Sequence, residues 1–311
     1  MRTDGFSAYD DSLGRAEIDS PWVFGDAGAV AYAPNYQLVE EILTIPYRAG
    51  EVSESGRFAR GIDAWIAHEL RRSGFDPDEV WPRATRPRVL PRDIKVLLDR
   101  LPRALSAQVE ERLPAISAVA PADVRILGRA YDKQVDIAIA RWDRGPELLV
   151  STKAMSSSFG KNLGNRFEEA YGDAGNLRSR YPLAAVGFFF VQRATVLHRE
   201  PGAYERTVDM MRKLRNLGNG NGYTATGLLL VDWDDEKVED SRVSVVLDPI
   251  PEDVAPPQFF KTMVDAVLDA TPVVHHVEVR SRREGRDVPV ELTDNADAIG
   301  GDERTDPQEL S

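Results

Sequence analysis

Apolar residues recur along this chain with the spacing of amphipathic helices and of buried strands. The clearest repeat predicts a helix over residues 55–73, ended by the glycine at position 74. The apolar face of this helix comprises Phe58, Ile62, Trp65, Ile66 and Leu70. Residues spaced by three or four positions share one side of a helix, so this face is expected to lie against a core.

The same pattern predicts most of the other elements. Helices are expected at residues 35–45, where Pro46 would end the helix, and at 163–178, 201–217 and 257–270. Strands are expected at residues 124–141, 147–153, 183–191, 227–233 and 242–248. The first two strands are joined by a turn at 143–146, which makes them a hairpin. Residues 1–34 lack a regular spacing and are predicted to be an irregular arm.

This order of elements predicts an α/β fold with a mixed central sheet flanked by helices. The expected organisation is an N-terminal arm with a short helix (1–54), a main domain (55–285) and an acidic, disordered tail (286–311). Residues 77–123 mix prolines with short helical runs and are predicted to form a helical insertion in the main domain.

The composition of the chain argues against disulfide bonds, zinc sites and membrane-spanning segments. The chain of 311 residues has no cysteine, which excludes disulfides and thiolate metal sites. Its four histidines lack the spacing of zinc ligands, except for one adjacent pair. No apolar run approaches the roughly 20 residues that span a bilayer, so we expect no membrane association and a cytoplasmic location.

The net charge of −12 argues against a nucleic-acid partner, but the charge is unevenly spread. Residues 81–103 carry seven Lys or Arg against two Asp, and residues 151–216 carry eleven against six Asp or Glu. Such basic stretches suit DNA phosphates, and they also suit ordinary solvated surface. The candidate DNA contacts are Arg86, Arg88, Ser158, Lys161, Arg178, Arg180, Arg212, Lys213 and Arg215.

The candidate chemistry lies on the predicted hairpin. Asp136 is a lone carboxylate within an apolar strand, and Lys153 lies on the partner strand seventeen residues later. Such a pair can offer an oxygen ligand for Mg²⁺ and a cation that orients water or stabilises a phosphorane, as phosphodiester hydrolysis requires. The alternative is a structural ion pair at the end of a sheet.

The order helix, strand, hairpin, helix, strand over residues 55–192 resembles the core of the PD-(D/E)XK nuclease superfamily. In that resemblance Asp136 matches the motif aspartate and Lys153 the motif lysine. Asp63 falls where many members carry a first-helix acid that contributes to the metal site. The resemblance implies a restriction-endonuclease-like fold, a Mg²⁺ cofactor and a DNA substrate.

One position departs from the motif. The acid of the acid-x-Lys triplet is Ser151, which cannot act as a charged Mg²⁺ ligand. Either the site is inactive, or another acid substitutes, as in type II restriction endonucleases with a Ser-x-Lys triplet and a displaced glutamate. Glu168 and Glu169 on the following helix are the candidates, against a solvated or capping role. Thr152 would contribute its main-chain carbonyl, as the middle residue does in similar enzymes.

The resemblance therefore predicts a Mg²⁺-dependent endonuclease that cuts double-stranded DNA, as a type II-like restriction or host-defence enzyme. A homodimer is expected by analogy, because cutting both strands usually requires two sites. A cognate methyltransferase would accompany it in a restriction–modification system. The alternatives are a catalytically inactive DNA-binding subunit of a defence system and a DNA repair or junction nuclease.

Overall fold

The computed structural model describes residues 4–52, 56–215 and 220–287. Apart from Arg286 and Asp287, the predicted acidic tail lies outside the described residues, as does the start of the predicted helix at position 55. Within the described residues, no helix is both long and apolar enough to cross a membrane.

The helices and strands follow one another along the chain as the apolar pattern leads one to expect for a mixed fold. The helices are α1 (Asp10–Arg15), α2 (Tyr36–Arg48), α3 (Arg57–Arg72), α4 (Arg92–Arg100), α5 (Arg103–Arg112), α6 (Phe159–Arg178), α7 (Val196–Arg199), α8 (Pro201–Arg215), α9 (Pro256–Ala270) and α10 (Val277–Glu284). The strands are β1 (Trp22–Phe24), β2 (Val30–Tyr32), β3 (Val80–Trp81), β4 (Val124–Leu127), β5 (Asp132–Val135), β6 (Ile137–Arg141), β7 (Gly145–Met155), β8 (Ala185–Arg193), β9 (Ala225–Asp232) and β10 (Ser244–Val246).

Six strands form the central sheet, in the order β10-β9-β8-β7-β6-β3. Strands β7, β8 and β9 are parallel, whereas β6, β3 and β10 each run antiparallel to their neighbours. Two small antiparallel ribbons, β1–β2 and β4–β5, lie outside this sheet. The predicted mixed α/β class, with a central sheet flanked by helices, is confirmed.

The two faces of the sheet build separate cores. Phe189 on β8 points to the face covered by α2, α3 and α9, where it packs against Trp65 and Phe260. Its neighbours Phe188 and Phe190 point to the face covered by α6 and α8 and pack against Phe167. Side chains alternate along a strand, so a strand buried on both faces must be apolar throughout. This explains the continuous apolar run that predicted it.

Helix α3 is buried on all sides, beyond the apolar face that the sequence predicted. The five predicted apolar residues are all buried, and so are the polar residues Asp63, His68 and Glu69. Gly61 allows α2 to approach closely, because a Cβ there would lie 3.0 Å from Ile42. Gly74 follows the helix with a φ of +104°, a left-handed conformation that favours glycine. Burying a charged residue requires partners, and those of Asp63 belong to the candidate site.

The N-terminal segment differs from the irregular arm that the sequence predicted. Residues 4–34 contain α1, β1 and β2, and their aromatic side chains join the core of the main domain. The buried aromatic residues are Phe6, Tyr9, Trp22 and Tyr32. These anchors are too widely spaced to produce a helical or strand period, which is why the pattern missed them.

Three further predictions are corrected by the structure. The strand predicted at 124–141 is divided at Asp136 into β5 and β6, and its first part forms the ribbon β4–β5. The segment 77–123 contains α4 and α5 around a small core of its own, but its strand β3 belongs to the central sheet. Helix α2 continues two residues past Pro46, although proline has no N–H to donate to the residue four positions earlier.

Two tryptophans provide a matched test of the core on the α3 face. Trp65 is fully buried, whereas Trp142 in the hairpin turn is 93% exposed. Trp65→Ala is expected to lower the free energy of unfolding by about 3–5 kcal/mol, because it removes a large buried side chain and leaves a cavity. Trp142→Ala is expected to change it by less than about 0.5 kcal/mol. Denaturant unfolding of both variants measures the difference, and equal effects would contradict this account of the core.

Candidate functional site

The candidate site lies where the chain passes from the ribbon β4–β5 into the central sheet. Asp136 is the single residue between β5 and β6, and its N–H donates to the carbonyl of Val150 on β7 at 3.0 Å. Strand β5 turns away from the sheet immediately before it. The break therefore sets the carboxylate of Asp136 at the start of β6, beside Thr152 of β7.

Thr152 on β7 holds two aspartates at once. Its main-chain N–H donates to Asp136 Oδ2 at 2.8 Å. Its hydroxyl donates to Asp63 Oδ1 on α3 at 2.6 Å. Thr152 pairs with Phe189 in the parallel register of β7 and β8, so it faces α3, and Asp63 is only 2% exposed. One threonine thus brings an acid from the hairpin and an acid from the first core helix together.

The electrostatics of the two aspartates reflect their burial and their proximity. Burial, and next the negative charge of Asp136, raise the pKa of Asp63 well above its usual value. Burial also raises the pKa of Asp136, while the Thr152 N–H, Lys153 and Arg60 offset part of that increase. A buried and a half-buried carboxylate beside one another form a region of concentrated negative potential. A cation bound there would relieve their repulsion.

Lys153 lies on the opposite face of β7, towards α6. Its Nζ lies 3.2 Å from Glu169 Oε1, and Lys133 Nζ on β5 lies 3.5 Å from the same oxygen. Lys133 also forms a close ion pair with Asp173 on α6. Partial burial opposes ionisation of Glu169, but Lys153 and Lys133 together hold its pKa below the usual value. Glu169 is therefore a carboxylate shared between two lysines.

The structure distinguishes the two candidate glutamates. Glu168 is exposed and forms no hydrogen bond or ion pair with any described residue, whereas Glu169 contacts Lys153. Consecutive residues of a helix point about 100° apart, so only one of the two can face the sheet. Ser151 is buried on the same face of β7 as Lys153, in register with Phe188.

An open cleft of about 440 Å³ lies against these groups. Its walls combine aromatic and cationic side chains with the residues already described. They include Phe58, Asp136, Lys153, Arg166, Arg193 and Trp233. Arg193 is fixed in the wall, because its guanidinium stacks 4.3 Å from the Trp233 ring and pairs with Asp232 and Asp235. The cleft thus offers positive charge and a ring surface beside the carboxylate of Asp136.

Arg60 is a neighbour of the site that the sequence did not single out. It precedes Asp63 by one helical turn on α3, and it forms an ion pair of 2.6 Å with Asp123. Its guanidinium also lies 4.9 Å from the ring of Phe6. The three-residue spacing from Asp63 is a signal that would have found Arg60. No comparable signal marks Arg193 or Trp233, because the strands that carry them are far apart in sequence.

The structure places most predicted DNA contacts away from the cleft or gives them partners within the chain. Arg88 is 5% exposed and pairs with Asp10 at 2.6 Å, and Arg86 pairs with Asp4 at 2.7 Å. Arg212 and Arg215 share Asp253, and Lys213 pairs with Asp209. Arg178 donates to the carbonyls of Ala184 and Gly220, and Arg180 lies over the Tyr181 ring. In the observed arrangement these cationic side chains have partners within the chain.

The predicted loop before α6 has a different arrangement from a phosphate site. Ser158 adopts a left-handed conformation at the N-terminus of α6, and Lys161 is exposed one turn later. The N–H groups of Phe159 and Gly160, which have no acceptor within the first turn of α6, donate to the carboxylate of Glu200 at 3.1 and 2.7 Å. Glu200 therefore occupies the position at which an anion would meet this helix.

Comparison with protein-family models, with curated proteins and with solved structures gives no match for this chain. Among the described residues, no group of three or more His, Cys, Asp or Glu side chains is arranged to hold a metal ion. The pair Asp63 and Asp136 nevertheless fits a hard divalent cation, because Mg²⁺ is commonly bound by one or two carboxylates with water and substrate oxygens as further ligands.

The raised pKa values give the aspartate pair a characteristic dependence on pH. A carboxyl whose pKa is higher in the folded state contributes stability below its unfolded pKa, near 4, and loses it as pH rises through the folded pKa. Asp63→Asn keeps an oxygen that accepts from Thr152 and removes one charge. We expect this variant to be more stable than the wild type at pH 7, with the difference shrinking towards pH 4.

Denaturant unfolding between pH 4 and 8 measures this difference, in the absence of divalent cations. Glu168→Gln is the matched control, because it removes an exposed charge from the neighbourhood. A gain of stability that is the same at every pH would show that the repulsion between the two aspartates is not its cause.

Proposed function

We propose that this protein is a Mg²⁺-dependent endonuclease that cleaves double-stranded DNA. The observation that carries the proposal is the joint attachment of Asp63 and Asp136 to Thr152, with Lys153 as the next residue of the same strand. An acid and a lysine that line a cleft with cationic walls, with a second acid buried behind them, suit the hydrolysis of a phosphodiester.

The order of elements supports the same proposal. Helix α3, strand β3, the hairpin β6–β7, helix α6 and strand β8 follow one another, and β3, β6, β7 and β8 are neighbours in the sheet. This is the order helix, strand, hairpin, helix, strand of the PD-(D/E)XK nuclease core that the sequence resembles. Membership of that superfamily is part of the proposal.

Asp63 and Asp136 would hold the metal ion. When bound, Mg²⁺ would act as a Lewis acid on the phosphate and favour ionisation of a coordinated water. Thr152 fixes both carboxylates through its N–H and its hydroxyl, so they require little reorganisation. Lys153 would orient the attacking water and stabilise the charge that develops on the phosphorane oxygens. Arg60 would lower the repulsion between the aspartates before a cation arrives.

Glu169 takes a different role here from the metal ligand that the sequence suggested. Its carboxylate accepts from Lys153 and Lys133, so it would hold the lysine in place. Ser151 leaves the face of β7 towards α6 without an acid of its own, and Glu169 supplies a carboxylate to that face from the helix. We therefore assign Glu169 as a positioning residue that acts through Lys153.

The biological setting follows from the resemblance alone. A nuclease of this kind that cuts both strands of a duplex would act as a homodimer. Its role would be restriction or host defence, with a cognate methyltransferase protecting the host DNA. These statements extend the proposed activity and stand or fall with it.

Two substitutions test the catalytic assignment. Asp136→Asn and Lys153→Met are each expected to reduce Mg²⁺-dependent cleavage of duplex DNA by about 10²–10³-fold, because each removes charge stabilisation at the reacting phosphate. Lys237→Met removes an exposed lysine that has no partner among the described residues, and it should leave the rate unchanged. The measurement is single-turnover cleavage of plasmid DNA with Mg²⁺ and with a chelator.

The result separates the competing functions. Full cleavage by either active-site variant would exclude this site. Wild-type protein that binds duplex DNA without cutting it would identify an inactive binding subunit. A preference for branched over linear DNA would identify a junction or repair nuclease.

The two adjacent glutamates provide a sharper test of the positioning role. Glu169→Gln is expected to lower the maximal cleavage rate by about tenfold, since it loosens Lys153, while Glu168→Gln should have no effect. The loss should vanish in the Lys153→Met background, because the two residues act as one unit. Glu169→Asp should restore part of the rate.

The Mg²⁺ dependence of the rate separates this role from a ligand role. If Glu169 bound the metal, Glu169→Gln would raise the Mg²⁺ concentration needed for half-maximal rate, even in the Lys153→Met background. An unchanged concentration supports the positioning role.

A further inference from the structure

The ribbon β4–β5 leaves the central sheet directly at the candidate site. Arg125 lies opposite Gln134, and Leu127 lies opposite Asp132, in an antiparallel pairing. Val135 ends the ribbon, and Asp136 is the next residue. At about 3.3 Å per residue, Gln134 lies roughly 7 Å along the strand from the candidate metal ligand.

The ribbon has one face turned to the protein and one face turned outward. Val124 and Val135 are buried in the core that Phe167 shares, and Lys133 reaches Glu169 and Asp173 on α6. The alternate positions point the other way, as the period of a strand requires. Exposed on that outer face are Arg125, Leu127, Asp132 and Gln134.

The arginines of the ribbon differ from the predicted DNA contacts elsewhere in the chain. The side chains of Arg125 and Arg129 are exposed and form no hydrogen bond or ion pair with any described residue. By contrast, Arg88 and Arg215 are held by aspartates within the chain. An unpaired guanidinium is available to an external acceptor without breaking an existing contact.

The tip of the ribbon is fixed to α6 by Asn176. The side-chain oxygen of Asn176 accepts from the Ala130 N–H at 2.8 Å, and its side-chain nitrogen donates to the Tyr131 carbonyl at 3.0 Å. The main-chain carbonyl of Asn176 accepts from the Arg129 N–H at 2.9 Å. Gly128 makes this approach possible, because a Cβ there would lie 2.1 Å from Asn176 Nδ2. The Tyr131 hydroxyl also donates to Asp173 at 3.1 Å. A ribbon attached in this way keeps its direction relative to α6 and to β7, the strand that carries Thr152 and Lys153.

We propose that the ribbon β4–β5 is the DNA-reading element of this protein, an inference that rests on the proposed nuclease function. A major groove about 12 Å wide admits a two-stranded ribbon, and arginine and glutamine are suited to guanine and adenine edges. Arg125 and Gln134 face the bases as a cross-strand pair. Arg129 at the tip contacts the backbone phosphates. The sequence selectivity of the enzyme therefore resides in this ribbon.

Substitutions on the ribbon distinguish the recognition of DNA bases from the binding of the DNA phosphate backbone. Arg125→Ala and Gln134→Ala are each expected to reduce discrimination at one base pair of the cut sequence by about ten- to a hundredfold, with other positions unchanged. Arg129→Ala should weaken binding to all duplexes alike and lower the slope of log K against log salt by about one. The probe is a library of synthetic duplexes of randomised sequence at fixed salt. Arg112→Ala on α5, another exposed arginine without a partner among the described residues, is the control.

The absence of cysteine from the chain permits a direct test of placement. Arg129→Cys introduces a unique thiol, which should form a disulfide with a duplex whose backbone carries a tethered activated thiol, in the presence of a chelator that prevents cleavage. Arg112→Cys, the matched control, should cross-link only at background level.

The outcomes distinguish this inference from the function on which it rests. If the wild type cuts DNA while the ribbon variants keep its selectivity, the ribbon is not the reader and the nuclease assignment stands. Equal cross-linking of the Arg129→Cys and Arg112→Cys variants would also contradict the DNA-reading role of the ribbon. If the wild type neither binds nor cuts duplex DNA, both proposals fall. Binding of an acidic protein through the ribbon, with no affinity for duplex DNA, would overturn the DNA-reading role in the same way.

Discussion

The attachment of a buried and a half-buried aspartate to one threonine is the constraint on which the rest of the structure depends. A buried carboxylate is costly unless it is hydrogen-bonded, and a second one beside it adds repulsion. Thr152 can serve both only if α3 packs closely on β7 and if β5 leaves the sheet at Asp136. The close approach of α2 at Gly61 and the all-round burial of α3 hold that helix in the required place.

The alternation of side chains along β7 divides the site between the two faces of the sheet. Thr152 faces α3 and holds the acids, whereas Lys153 faces α6 and meets Glu169. The two aspartates and the lysine of the proposed site are therefore brought together at neighbouring residues of one strand, where both faces of the sheet are within reach. A single helix or one face of the sheet would not supply them all. This explains why α3 and α6, which belong to separate cores, must both be positioned accurately.

The sequence was sufficient for the parts of this arrangement that depend on local periodicity. The face of α3, the strands β7 and β8, and the placement of Asp136 and Lys153 on one hairpin follow from spacing alone. The choice between Glu168 and Glu169 does not, because it depends on how α6 is rotated against the sheet. The ion pair of Arg88 could not be predicted either, because its partner Asp10 lies 78 positions earlier in the sequence. Long-range ion pairs of this kind give several of the predicted DNA contacts a partner within the chain.

The serine at position 151, where the proposed family would carry an acid, affects how charge is distributed across the site. On the α6 side, Lys153 and Lys133 share Glu169, and Asp173 takes part of the charge of Lys133. On the α3 side, two aspartates face Arg60, whose guanidinium is already paired with Asp123. The α3 side of the site therefore keeps an excess of negative charge, which favours the binding of a divalent cation. On the α6 side, Lys153 is the cation next to the two aspartates. In the proposed reaction, a phosphate bound between the two sides would meet a metal ion on the side of the aspartates and the Lys153 ammonium group on the other, and Glu169 would hold that ammonium group in place.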